Sequence, residues 1–218
     1  MVLEALAAAV FPARCPGCGA PAEPVCDACA RRLRPALRQP PPAGVDDWVA
    51  VLAYEGVARE LVARLKYRNA RAVVPWLGTA MAAAVYAGTG SHGIEVVTWA
   101  PTTPVRRRER GFDHAELLAR AVGRALTRPV RPTLRRRPGR PQTGLPSADR
   151  RRGPAFVARR VVPASVLVVD DVATTGATLR AAARALRAGG AQQVVAVTAA
   201  RTPPRTQIHP FAPDRHGG

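Results

Sequence analysis

The sequence predicts an α/β protein, a parallel sheet with helices on both faces, preceded by a small module built on four cysteines. Three observations carry this reading. Short apolar runs alternate with amphipathic helical patterns across residues 46–204, as in a sheet covered on both sides. The last of these units reads strand, helix, strand, which makes its strands parallel and joined by a right-handed crossover. All four cysteines fall within residues 1–45. The expected organisation is an N-terminal helix and cysteine module over 1–45, an α/β domain over 46–204, and a disordered Pro- and Gly-rich tail over 205–218.

The elements follow in order. Residues 1–11 are apolar but carry Glu4, lack a basic leader and run into Arg14 and Cys15 without a small-residue cleavage site. They read as the first helix of a cytoplasmic protein, not as a signal peptide. Residues 38–42, Arg-Gln-Pro-Pro-Pro, read as a linker, so loss of the cysteine module is expected to spare the domain behind it. Residues 48–54 read as a strand, and Val57, Leu61, Val62 and Leu65 recur at helical spacing. Residues 94–99 form a second strand ending at Pro101. Residues 114–126 form a helix with Leu117, Leu118, Ala121, Val122, Ala125 and Leu126 as its apolar face. Asp113 reads as its cap and His114 as a surface histidine; Trp76, Trp99 and Phe112 read as packing residues. Residues 165–169 make a buried strand, 177–188 a helix ending at Gly189-Gly190, and 194–198 the next strand. There is no internal repeat, and no run approaches the roughly eighteen apolar residues of a membrane span.

The formal charge of +18 invites a nucleic-acid reading. Lys66 is the only lysine; every other basic residue is arginine. With the heavy use of Ala, Pro and Gly, that composition reflects GC-rich codon choice, so arginine abundance alone says little. Its placement says more. Residues 101–160 hold 17 Arg against four acids, +13 of the total, whereas 46–100 hold five basic and five acidic residues. So local an excess faces phosphates, and Arg135, Arg136 and Arg137 are the residues expected to meet a DNA backbone.

Cys15-Pro-Gly-Cys18 and Cys26-Asp-Ala-Cys29 are two C-x-x-C pairs seven residues apart. The two-residue gap lets both thiolates of a pair reach one tetrahedral ion, and Gly17 and Gly19 permit the tight turn. A redox motif would leave the second pair unexplained, and disulfides do not suit a chain without an export signal. The reading is one structural Zn²⁺.

The strongest signal is the run from Val166 to Leu179, Val-Leu-Val-Val-Asp-Asp-Val-Ala-Thr-Thr-Gly-Ala-Thr-Leu. An apolar strand ends in two carboxylates, then a Thr/Gly loop opens a helix. Unpaired N–H groups at that helix start favour a phosphate monoester. Gly176 allows close approach, and Thr174, Thr175 and Thr178 add hydroxyl donors. Adjacent acids at a strand's C-terminal end lie where open α/β sheets bind ligands and suit a vicinal diol. A receiver domain would need a further acid at a later strand end, and the only later acid is Asp214. A Walker A loop would need Gly-Lys-Ser/Thr after the glycine.

The run from Val168 to Thr178 resembles the phosphoribosyl-pyrophosphate (PRPP) motif of type I phosphoribosyltransferases. The resemblance implies Asp170 and Asp171 at the ribose hydroxyls, and Ala173, Thr174, Thr175, Gly176, Ala177 and Thr178 around the 5′-phosphate. It further implies Mg²⁺ carried with PRPP, and Pro101, Thr102 and Thr103 as the pyrophosphate loop. Further stretches resemble the ComF (competence) branch: 11–19 around the first cysteines, Tyr54-Glu55-Gly56 with Leu65-Lys66-Tyr67, Arg108-Glu109-Arg110-Gly111-Phe112, and Gln142-Thr143-Gly144-Leu145 with Arg150 and Phe156. That likeness spans residues 11–201 and makes Lys66, Arg106, Arg110 and Gly111 signature positions. Asp113 and His114 depart from the Asn and Gln usual there. The implied role is PRPP binding in competence-linked uptake of single-stranded DNA, with the uptake machinery as partner. The alternative is an active phosphoribosyltransferase of nucleotide salvage whose acceptor the sequence does not name.

Overall fold

The computed structural model describes residues 14–22, 24–67, 72–88, 93–137, 154–159 and 162–203. The expected helix over 1–11, the Gln142–Leu145 and Arg150 signatures and the tail over 205–218 lie outside them. Four strands form one parallel sheet in the order β1 (Asp47–Ala53), β6 (Gln193–Arg201), β5 (Ser165–Ala173), β2 (Val96–Trp99). Side chains alternate along these strands. Val166, Val168, Val194 and Ala196 pack with Leu179, Ala182 and Leu186 of α6 (Ala177–Ala188) in one core. Leu167, Val169, Val195 and Val197 pack in a second core with α2 (Gly56–Tyr67), α3 (Val73–Gly88) and α5 (His114–Ala125). Both faces are therefore covered, as expected from the alternation of elements. A short antiparallel pair, β3 (Leu134–Arg136) with β4 (Phe156–Ala158), stands beside the sheet.

Three differences from the sequence reading have physical causes. Helix α3 was not foreseen, because Val73, Val74, Leu77, Gly78, Met81, Ala82 and Val85 are all buried. A helix so apolar offers little polar contrast at a period of 3.6. Helix α5 starts where expected and sets Leu117, Leu118, Ala121, Val122 and Leu126 against the core, but its most buried stripe runs through Ala115, Leu118, Ala119, Val122 and Gly123, and Ala125 is exposed. Small residues at 115, 119 and 123 let it lie close; a Cβ on Gly123 would stand 2.2 Å from Val130 Cγ2. Strand β5 runs on through Asp170 to Ala173, since Val172 and Ala173 still pair with Ala200 and Arg201 of β6. Strand β2 stops at Trp99, opposite Val169. Beyond that point β5 has lost its neighbour on one side, and the carboxylates project where the sheet opens.

The proline-rich segment is anchored at both ends, by Arg38 donating to Asp47 and to Gly88 O (3.1 Å) and by Pro42, whose carbonyl accepts the Val45 N–H (3.0 Å). Ala53 N–H donates to Arg34 O (2.9 Å) and Ala36 N–H to Val51 O (3.0 Å), so the chain before it covers the open edge of β1. Pro42 then lies against the loop before α6, where a Cβ on Gly176 would stand 2.8 Å from Pro42 Cγ. Arg187 of α6 grips Asp46 through both carboxylate oxygens at 2.7 Å. Upstream, Cys15 and, on the short helix α1 (Asp27–Arg31), Cys29 are buried in the same core as Val57 and Leu61 of α2. The cysteine module thus shares a core with the α/β domain.

Candidate functional site

A cleft of about 200 Å³ opens at the C-terminal ends of β2 and β5, lined by Ala100, Pro101, Thr102, Arg106, Arg110, His114, Arg136, Asp170, Asp171, Val172 and Thr178. Its acidic wall belongs to β5. Asp170 and Asp171 are both under a tenth exposed, and Asp170 Oδ1 accepts the Asp171 N–H at 2.9 Å. Ala100 N–H donates to Val169 O at 3.1 Å, which ties the 101–103 loop to the last residue of β5 before the acids.

The basic wall comes from two other elements. Helix α4 (Pro104–Arg110) starts at Thr103, whose hydroxyl accepts the Arg106 N–H at 3.2 Å, with Pro104 in its first turn. It ends at Gly111, in the left-handed region at φ 75°. Arg106 and Arg110, one turn apart, both reach the cleft. Arg136 arrives from β3, half-buried, with its guanidinium 5.8 Å from the Phe156 ring centre and Nη1 3.5 Å from Pro101 O. Burial and then the neighbouring Arg106 lower its pKa, while Asp170 and Asp113 oppose the shift. Three guanidiniums against two carboxylates make a cleft suited to phosphate oxygens.

The two walls are joined at the start of α5. Asp113 caps that helix as expected: Oδ1 accepts the Ala115 N–H at 3.1 Å. Its Oδ2 accepts the Thr102 N–H at 2.9 Å, so the same carboxylate holds the 101–103 loop. Burial raises the Asp113 pKa, and the Thr102 N–H bond pulls against that rise. His114 is not on the surface. It is 7% exposed, its Nε2 meets Asp171 Oδ2, and its Nδ1 lies 3.3 Å from Arg110 Nη1. A polar residue at a helix start reads as solvated unless its partners, 57 residues on in the case of Asp171, are known.

The structure thus brings Pro101, Thr102, Arg106, Arg110, Asp170, Asp171 and Thr178 into one cleft. Thr103 and Gly111 serve as the caps of α4. Ala173, Thr174, Thr175, Gly176 and Ala177 follow the acids as the turn into α6, outside the cleft lining. Gly176 caps α6 at φ 68°, Thr175 Oγ1 accepts the Ala177 N–H at 3.4 Å, and Arg180 Nη1 holds Thr175 O at 2.8 Å. Lys66 sits in the last turn of α2, and its side chain is outside those described. Arg136 was read as part of a DNA track; it belongs to the cleft, while Arg135 and Arg137 on either side are exposed. Its place there had no local signal, because β3 pairs with β4 across a long connection.

The thiol ligand atoms of Cys15, Cys18, Cys26 and Cys29 lie within 4.8 Å of one another, with Cys18 Sγ and Cys26 Sγ 3.6 Å apart. Four sulfurs at ~2.3 Å from one ion stand about 3.8 Å apart, so the donor set fits a tetrahedral site. All four are free thiols. Burial pushes the Cys29 thiol up to about 12. At Cys15 burial acts the same way but is outweighed by backbone N–H groups of Cys26, Cys18 and Gly17, leaving it at about 6. Among the described residues no helix is long and apolar enough to cross a membrane.

A family model described as a phosphoribosyl transferase domain matches residues 160–214, the segment that carries β5, the Thr/Gly turn, α6 and β6. No curated protein matches the chain. Among solved structures the chain is similar to the allosteric regulatory enzyme of purine biosynthesis, at 24% identity over 59% of this chain and 26% of that one (TM-score 0.40). It is also similar to orotate phosphoribosyltransferase from Aeropyrum pernix, at 20% identity over 66% and 64% (TM-score 0.35). A third similar structure is hypoxanthine phosphoribosyl transferase of Trypanosoma cruzi, at 16% identity over 62% and 74% (TM-score 0.36). The chain spans about a quarter of the length of the first of these and under two thirds of the second.

Proposed function

We propose that the cleft binds PRPP, with Asp170 and Asp171 on the ribose hydroxyls and the turn from Ala173 to Thr178 around the 5′-phosphate. The supporting observation is the meeting of two buried strand-end carboxylates with Arg106, Arg110 and Arg136 in one cleft. A diol needs acceptors and a pyrophosphate needs guanidiniums; this wall arrangement offers both, and Thr178 in the first turn of α6 lines the same cleft. Mg²⁺ belongs with the ligand, because it keeps waters and is held largely by substrate oxygens. One Zn²⁺ on Cys15, Cys18, Cys26 and Cys29 is part of the same proposal.

In a transfer reaction the bond between the ribose anomeric carbon and pyrophosphate breaks as a nucleophile bonds to that carbon. The leaving pyrophosphate would accept hydrogen bonds from the Thr102 region, Arg106 and Arg110, where charge develops. We place PRPP binding, as in the ComF branch, in competence-linked handling of single-stranded DNA. Exposed Arg107, Arg108, Arg135 and Arg137 next to the cleft favour that role over nucleotide salvage, because they serve no purpose in holding a small ligand. Calorimetry with Mg²⁺ and PRPP tests the binding. Each charged acceptor is worth about 1.5–3 kcal/mol, roughly ten- to hundredfold in affinity. Asp170→Asn/Asp171→Asn should therefore abolish measurable binding, and unchanged affinity would overturn the assignment.

A further inference from the structure

His114 has two partners of opposite chemistry, and together they fix its proton. A carboxylate only accepts, so the contact with Asp171 Oδ2 requires the hydrogen on Nε2. A guanidinium only donates, so the contact with Arg110 Nη1 at 3.3 Å requires the lone pair on Nδ1. Between them they select the neutral Nε2–H tautomer. Both partners line the cleft, one from each wall: Asp171 from β5 and Arg110 from α4. A proton added at Nδ1 would set two donors face to face and a cation beside Arg110. The other charged groups around the ring are Asp170 on β5, Arg106 on α4, Arg136 on β3 and Asp113 at the cap of its own helix.

We propose that His114 is a positioning residue for the phosphoribosyl ligand, orienting Asp171 through Nε2–H and Arg110 through Nδ1 as a neutral imidazole. The proposal rests on the PRPP reading above and adds a proton linkage to it. Imidazolium competes with the ribose hydroxyls for Asp171, repels the accompanying Mg²⁺ and displaces Arg110, so protonation weakens binding. A buried histidine with a purely structural role would leave the pH profile of binding unmoved.

The test compares Mg²⁺–PRPP affinity of the wild type, His114→Gln and His114→Leu across the range in which histidine titrates. The ligand's own phosphates titrate in the same window, so the readout is the ratio of wild type to His114→Gln. Glutamine supplies one N–H donor and one carbonyl acceptor without titrating. The ratio of wild-type to His114→Gln affinity should fall severalfold as the pH drops from about 8 into the acid range. His114→Leu should be weaker at every pH. A ratio that stays flat with pH overturns the proposal. Nitrogen-15 NMR of the ligand-free protein reads the tautomer directly: a protonated Nε2 and bare Nδ1 at neutral pH support the two contacts, and a proton on Nδ1 refutes them. If no variant binds PRPP at any pH, the ligand reading fails, and the NMR measurement alone then decides the contacts of His114.

Discussion

The two walls of the cleft are built to different standards of rigidity. Asp170 and Asp171 stand on a strand that pairs with β6 through Ala173 and whose residues 165–171 are all buried. Arg106 and Arg110 stand on a seven-residue helix with no buried residue, held at one end by Thr103 and joined to the rest through Asp113 and His114. The ribose end of the proposed ligand is therefore held by a fixed frame, and the pyrophosphate end by groups on a lightly anchored helix. In that proposal the acids define where the ligand sits, while the start of α5 defines whether the basic wall meets it.

The largest effect is expected from the metal module. Structural zinc contributes folding free energy directly, and Cys15 and Cys29 lie in the core shared with α2. Metal analysis should find one zinc per chain. Stripping the metal, or Cys29→Ser, should lower the melting temperature of the whole protein and weaken PRPP binding through the Pro42 contact at Gly176. A stripped protein that keeps both would show that the docked segment is mere covering.

Next comes the basic wall itself. Arg136→Leu removes a guanidinium from the cleft and should weaken PRPP by about 1.5–3 kcal/mol with little change in stability. Unchanged affinity would remove β3 from the site. Asp113→Asn is gentler, since asparagine still caps a helix but has one acceptor where Asp113 uses two. It should cost about 0.5–1.5 kcal/mol of binding. Inorganic pyrophosphate should feel it more than ribose 5-phosphate does; an equal loss for both would show that the Thr102 contact does not govern the basic wall.

The smallest effect lies outside the cleft. If exposed arginines track single-stranded DNA, log affinity falls linearly with log salt by about 0.7 per phosphate contact. Arg135→Gln/Arg137→Gln should flatten the slope by about one unit or more and leave PRPP affinity unchanged. Arg136 must stay in that comparison, because it lines the cleft. A slope that does not move would return the arginine excess to codon choice.

What the sequence made legible divides along the same line as the two walls. Asp170, Asp171 and the turn to Thr178 are contiguous, so one apolar strand, two acids and a glycine before a helix made their local structure readable, and of the run Asp170, Asp171 and Thr178 line the cleft. The four cysteines were equally readable, their spacing being itself the chemistry. Arg136 and His114 were not, because each acquires its meaning from partners on other elements: Pro101 and Phe156 for the first, Asp171 and Arg110 for the second. Helix α3 escaped because its exposed face, with Ala83, Tyr86 and Ala87, is nearly as apolar as its buried one, so no polar contrast marks the period. Proline marks both free linkers and chain laid against a neighbouring surface, so the contacts of Arg38 with Asp47 and of Pro42 at Gly176 were not readable from the 38–42 run.

A crystal structure of the protein soaked with Mg²⁺ and PRPP tests the central claim most directly. Ribose hydroxyls should lie on Asp170 and Asp171, the 5′-phosphate at the turn from Ala173 to Thr178, and pyrophosphate against Thr102, Arg106 and Arg110. PRPP bound elsewhere, or bound in the cleft with its ribose turned away from both carboxylates, would contradict it.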